Sequence, residues 1–426
     1  MQSIDNNQSF KLQKDERKVL WLSSLGGMLE LYDFAIYGTF AIYFAKQFFP
    51  SHDGFIGILE TYMVFLLGFV LRPIGGIIFS HIGDEVGRKK VLVYTVFLMG
   101  ISSLGIAVLP TYAQIGIAAP LLLMLMRVLQ GFAVGGEVPT TFVYISEYLS
   151  NKRIFAFSFV MGGIFNGYLL ASLINFALNN LFSQDFLYQY GWRIPFIIGG
   201  LICLISYKIR ENLHETEAFQ EIKHKEKYPA VIIFKNYKTQ LICGAFMSAA
   251  QQVFSVVGII YIPTYFNQIL HVDTINIAEI LTVGLSIFIA VILALGWLFR
   301  RDNVNIAKIL IFGAILNTFT ISLAFYLMKL HMFTLGYGLL LIPHCIFGLF
   351  IPLYITTIFP TNIRLSGVSL SYNISIVLFA GTTPILITML IKATQMIYIA
   401  PAVCMIMFLI LGCCAMLVSS KSSDIK

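Results

Sequence analysis

The sequence predicts an all-α polytopic membrane protein, with twelve transmembrane helices in two six-helix halves. Three observations carry this prediction. Hydrophobic residues make up 58% of the 426 positions and charged residues only 12%. Continuous apolar runs of about twenty residues recur along the chain, the length a helix rising ~1.5 Å per residue needs to cross a ~30 Å hydrocarbon core. One long polar segment, 209–238, divides these runs six and six. A β-barrel is excluded, because the runs are continuous rather than alternating and lipid admits only helices or closed barrels.

Residues 1–18 are mostly polar and read as a cytoplasmic tail. The apolar stretch that follows is longer than the core of a signal peptide and contains Glu30 and Asp33, so it is expected to remain as the first helix. The spans fall near 19–46, 56–82, 91–109, 115–145, 154–182 and 192–208, then 239–268, 275–299, 306–328, 332–358, 365–391 and 395–418. An N-terminal half thus covers 19–208, a cytoplasmic central loop 209–238, a C-terminal half 239–418, and a second cytoplasmic tail 419–426.

Basic residues orient the bundle. With the N-terminus inside, only Lys46, Arg193, Lys329 and Lys392 fall on the far side, Arg72 and Arg127 lie in spans, and the remaining 22 of 28 face the cytoplasm. The net charge of +7 reflects this asymmetry and does not point to nucleic acid. The six cysteines all lie in apolar runs without metal-ligand spacing, so no metal or cofactor is expected. No HExxH, CxxC or Walker pattern speaks for an enzyme.

The loop between spans two and three reads HIGDEVGRKK, and with the residues before it RPIGGIIFSHIGDEVGRKK. It resembles the signature loop of the major facilitator superfamily, with Ser80 where a glycine is usual and Glu85 where a base is usual. Such a loop can gate a carrier. Asp84 can accept N–H bonds from a facing helix N-terminus, Gly87 permits a tight turn, and Arg88, followed by Lys89, can reach a carboxylate at the end of span four. Glu147, with Glu137, is the expected partner; the competing reading is a charged loop that only sets topology.

Further segments are similar to the metabolite:proton symporters of that superfamily, which include proline/betaine, α-ketoglutarate, citrate and shikimate carriers. They are LGGMLELYDFAIYG in span one, RVLQGFAVGGEVPTTFVYISEY in span four, GWRIPF at 191–196, ENLHETEAF after span six, YIPTYF in span seven and IFPTNIRLSGVSLSYN at 358–373. The resemblance implies alternating access and proton-coupled uptake of a small polar metabolite such as an organic acid, an amino acid or a betaine. It places the chain in a bacterial cytoplasmic membrane, acting as a monomer. Export of a metabolite or chelator by the same fold, and a sensor without transport, are the alternatives.

An ionisable group inside a bilayer costs several kcal/mol and is a functional candidate by default. Spans one and four line the cavity of the resembled fold, so Asp33 and Arg127 are the expected proton-coupling pair. Glu30, one turn from Asp33, is the rival acceptor. A purely structural pair locking the two spans is the bland reading. Arg72 is expected near the cytoplasmic interface. The candidate substrate contacts are Arg127, Tyr37, Gln130, Asn166, Gln251, Gln252, Tyr372 and Asn373, although a lone amide in a membrane helix more often bonds a neighbouring helix. His344 is the only histidine deep in a span, with packing and proton relay both open.

Overall fold

The computed structural model describes residues 12–49, 63–64, 67–221, 228–300 and 304–423. Ten of the described helices are long and apolar enough to cross a membrane, and Gln184–Gly191 with Arg193–Arg210, bent by 45°, adds an eleventh. The regular described part of span two is Arg72–Glu85. Most of its first half lies outside the described residues. So do the first eleven residues of the N-terminal tail, six residues of the central segment (222–227), positions 301–303 and the last three residues.

Local chemistry sets the helix limits. Span one begins at Lys14, five residues before its apolar run, because Gln13 and Glu16 form a capping box that satisfies the free N–H groups of the first turn. It ends at Thr39, and the chain turns at Phe40 into the short helix Ala41–Phe48. Span three, Arg88–Val108, opens on Gly87 with φ 126°, a conformation that a side chain rarely adopts. Span four, Ala118–Tyr148, has 31 residues. At ~1.5 Å per residue it outruns a ~30 Å core, which carries Glu147 to the same end of the bundle as Gly87.

The first and last six spans pack through close backbone contacts. Span four contains Pro139, which has no N–H for the Gly135 carbonyl one turn back. Asn373 of span eleven (Arg364–Ser375) supplies the missing donor, its Nδ2 lying 3.0 Å from that oxygen. Ser369 Oγ donates to the Gly76 carbonyl of span two at 3.0 Å. A Cβ on Gly76 would collide with both Asn373 and Ser369, so the glycine is needed for this approach. Across the bundle, Phe165 of span five (Arg153–Leu181) meets Phe288 of span eight (Thr274–Leu298) edge to face at 4.8 Å.

The last six spans are less regular. Span seven is α-helical over Lys238–Ser255 and then passes through wider π turns at Val256–Tyr261 and Tyr265–Ile269. Span ten breaks between Phe333–Leu341 and Cys345–Ile355, and span eleven continues through a π turn at Ile376–Ala380. Interruptions of this kind recur at functional sites.

Candidate functional site

Span one carries two acids into the interior and gives them different partners. Glu30 pairs with Arg72, Oε1 to Nη2 at 2.5 Å, with both side chains almost fully buried. The guanidinium packs against the neighbouring rings of Phe34 and Phe69, 4.5 and 4.9 Å from their centroids. Arg72 is therefore interior and not interfacial as expected. The reason is helix length: the 14 residues of Arg72–Glu85 lift it about 20 Å from the Gly87 end.

Asp33 is held by neutral donors. Its Oδ2 accepts from Ser103 Oγ at 2.7 Å and from Gln130 Nε2 at 2.9 Å. Gln130 Oε1 in turn accepts from Arg127 Nη1 at 2.6 Å, and the Arg127 guanidinium sits 3.5 Å over the Tyr37 ring. The expected direct pairing of Asp33 with Arg127 is thus corrected to a relay through Gln130. Arg127 and Gln130 are three residues apart on one face of span four, and an amide donates on one side while accepting on the other.

At the Gly87 end, Asp84 caps span eleven. Its carboxylate accepts the Leu365 N–H at 3.3 Å and the Ser366 N–H at 2.8 Å, in the first turn of Arg364–Ser375 where N–H groups have no helical partner. Arg88 lies 3.3 Å from Asp84 and 3.4 Å from Glu147, and donates to the carbonyls of Gly83 at 2.9 Å and Thr361 at 2.8 Å. Glu147 also receives Arg364 at 2.9 Å and the Thr216 hydroxyl at 2.8 Å. Lys89 takes part through its main-chain N–H, which donates to Glu215 at 3.1 Å. Burial pushes the Glu215 carboxyl above its ordinary range, against the pull of the N–H groups it caps. Phe219 closes the cluster, its ring 4.7 Å from the Arg88 guanidinium.

Other expectations need correction. Glu137 is not at this cluster: it is fully buried higher in span four, where Arg210 pairs with it at 2.8 Å and the Thr95 hydroxyl donates to it. Arg210 also donates to the carbonyls of Leu22 and Leu92, tying spans one, three, four and six together. Asn166 is exposed and shares a helical face with Leu173 and Phe176, the stripe of span five turned away from its neighbours. Asn373 spends its amide on Gly135 and the Ser369 carbonyl, a helix-packing use. Gln251 and Gln252 are buried on span seven, Gln252 donating to the Tyr372 carbonyl at 3.2 Å. Tyr372 is half-buried, edge-on to Phe142 at 5.7 Å.

Sequence reasoning assigned no role to Ser103, Arg210, Glu215, Thr216 or Arg364. Four of these lie in or beside the quoted runs ENLHETEAF and IFPTNIRLSGVSLSYN, so the signal was present as a cluster of charges at span ends. Ser103 carries none, since a serine in an apolar run looks like packing.

A profile of the Major Facilitator Superfamily matches residues 23–360. The chain belongs to the Major Facilitator Superfamily. Among curated members it is 32% identical over 406 residues to the proline/betaine transporter of Salmonella typhimurium, covering 89% of this chain and 78% of that one. It is 30% identical over 422 residues to the glycine betaine/proline/ectoine/pipecolic acid transporter of Dickeya dadantii, covering 93% and 81%. Among solved superfamily structures, the proton:xylose symporter XylE shares the fold with a TM-score of 0.78 at 17% identity, over 95% of each chain. FucP in its outward conformation gives 0.64 at 14%, over 93% of this chain and 98% of that one. As a superfamily member the protein is a multi-pass membrane transporter, a secondary carrier of small metabolites.

Proposed function

We propose that this carrier takes up a small zwitterionic solute of the proline and betaine type together with a proton. Its halves cover 19–208 and 239–418, and both termini and the 209–238 segment lie in the cytoplasm of a bacterium. The observation that carries the coupling is the setting of Asp33, buried among the spans and hydrogen-bonded by Ser103 and Gln130. A proton taken up on Oδ1, the carboxylate oxygen without a hydrogen bond, neutralises the group and weakens Oδ2 as the acceptor that Gln130 Nε2 uses. The Gln130 amide can then turn, and Arg127 loses its Oε1 partner. Protonation at Asp33 is thereby felt at Arg127, an anchor suited to a substrate carboxylate. Glu30, held by Arg72, suits the cationic end of a zwitterion.

Tyr37, Arg127, Gln130, Gln251, Gln252 and Tyr372 remain the substrate contacts in this reading; Asn166 and Asn373 leave the set. Asp84, Gly87, Arg88 and Lys89 with Glu147 close the cytoplasmic gate, joined by Arg364 and Thr216.

Purified carrier in proteoliposomes, with an acid exterior and labelled proline, glycine betaine, citrate and α-ketoglutarate, tests the reading. Concentrative uptake of proline or glycine betaine that a protonophore abolishes is expected. Accumulation of the organic acids alone would replace the substrate class, and movement only against an inwardly directed proton gradient would favour the exporter.

Orientation is tested on a cysteine-free background. A cysteine at Ser422 should react with an impermeant maleimide only after cells are opened. Labelling from outside intact cells would overturn the topology.

A further inference from the structure

Span ten is interrupted at Ile342–His344. Pro343 explains the break, having no N–H for the helix ladder. Asn317 of span nine steadies it, donating Nδ2 to the Pro343 carbonyl at 3.0 Å. His344 is the last residue of the interruption and is 1% exposed. Its ring lies flat on Phe254 of span seven, with centroids 3.5 Å apart and planes 9° from parallel, and Phe347 follows at 6.0 Å. This stack fixes the plane of the imidazole.

The ring nitrogens are less well provided for. One is turned to the main-chain carbonyl of Gln251, yet neither completes a hydrogen bond. Gln252, the next residue on span seven, also keeps an unpartnered Oε1. Buried polar atoms without partners are rare, and each calls for an explanation. Packing alone does not supply one, since phenylalanine would stack on Phe254 without two idle nitrogens. A neutral imidazole has one N–H and one lone-pair nitrogen. With the N–H turned to Gln251, the lone pair is left for a donor from outside the protein.

We propose that His344 is a specificity residue, whose free ring nitrogen accepts an N–H from the ammonium end of the transported solute. This rests on the zwitterionic-solute reading above and sharpens it. An amino acid such as proline keeps ammonium hydrogens. A betaine carries carbon in their place and has nothing to donate to this nitrogen. His344 therefore biases the carrier toward N–H-bearing amino acids over their fully N-methylated analogues.

The test uses a matched pair, proline and N,N-dimethylproline, which differ only at nitrogen. Proteoliposome uptake is measured for the wild-type carrier, His344→Phe, which keeps the stack, and His344→Gln, which restores an acceptor. For His344→Phe the KM for proline should rise about tenfold, the effect of one lost hydrogen bond, with the maximal rate little changed. The KM for dimethylproline should move less than about twofold, and His344→Gln should recover part of the proline affinity. Equal changes for both solutes would overturn the proposal in favour of packing, as would no change for either. If His344→Phe fails to fold, a His344→Gln carrier without a preference for proline over dimethylproline overturns it as well. A wild-type carrier that moves neither solute refutes the zwitterionic reading itself, a result distinct from an unchanged ratio in the variants.

Discussion

Asp33→Asn should yield a carrier that still exchanges solute but no longer concentrates it. Only a difference in proton affinity between the two facing states can drive accumulation, so removing the titrating group separates solute movement from proton movement. Asparagine has nearly the same shape as a protonated aspartate and keeps an oxygen for Ser103 or Gln130. The hydrogen-bonded arrangement around Arg127 is then fixed in a single protonation-like form. One pH unit is about 1.4 kcal/mol, so an imposed gradient of that size supports at most about tenfold accumulation per coupled proton. In the variant this ratio should fall to about one, while equilibrium exchange across proteoliposomes persists. Glu30→Gln should spare coupling and raise KM, because it unpairs Arg72 and leaves Asp33 untouched. Concentrative uptake that survives in Asp33→Asn and disappears in Glu30→Gln would transfer the coupling role to Glu30.

Glu147→Gln should shift the carrier strongly toward its inward-open form. Glu147 answers two guanidiniums, Arg88 from the first turn of span three and Arg364 from the start of span eleven. Removing one partner from a buried ionic cluster costs about 3–5 kcal/mol, because the remaining charges lose their compensation without regaining water. That penalty falls on the closed form, since opening hydrates both arginines. Even the lower figure corresponds to a shift of about a hundredfold or more in the equilibrium between the forms. A cysteine at Ser369, now buried against Gly76, reports the change on a cysteine-free background. It should react with a thiol reagent from the cytoplasmic side much faster in the Glu147→Gln carrier. Unchanged reactivity and unchanged flux would mean that the loop serves topology alone.

The spans were legible in the sequence because the solvent leaves little choice: continuous apolar runs in lipid can only be helices. The tight loop was legible for a similar reason, since its glycine must take a positive φ and its acid must find donors. Pairing among buried side chains was not. Which cation meets which acid depends on the depth and rotation of each span, and these are decided by helix ends that apolar runs do not mark. Arg72 was expected near the cytoplasmic interface, where a long side chain can snorkel; the helix that ends at Glu85 sets its true height. Asn166 looked like a cavity group because its residue type was weighed without its face. Gln130 was named as a substrate contact, and its place between Asp33 and Arg127 could only be seen once spans one and four were set side by side.

The Asp84 cap has a consequence for how the proposed gate can vary. Its receptor is the peptide backbone of span eleven, two N–H groups that every residue except proline possesses. Side chains at 365 and 366 can drift without erasing this half of the latch, whereas the donor-seeking half depends on one carboxylate. Tuning of gate strength through this contact is therefore open to mutation on one side only, and a lineage altering it would do so at position 84.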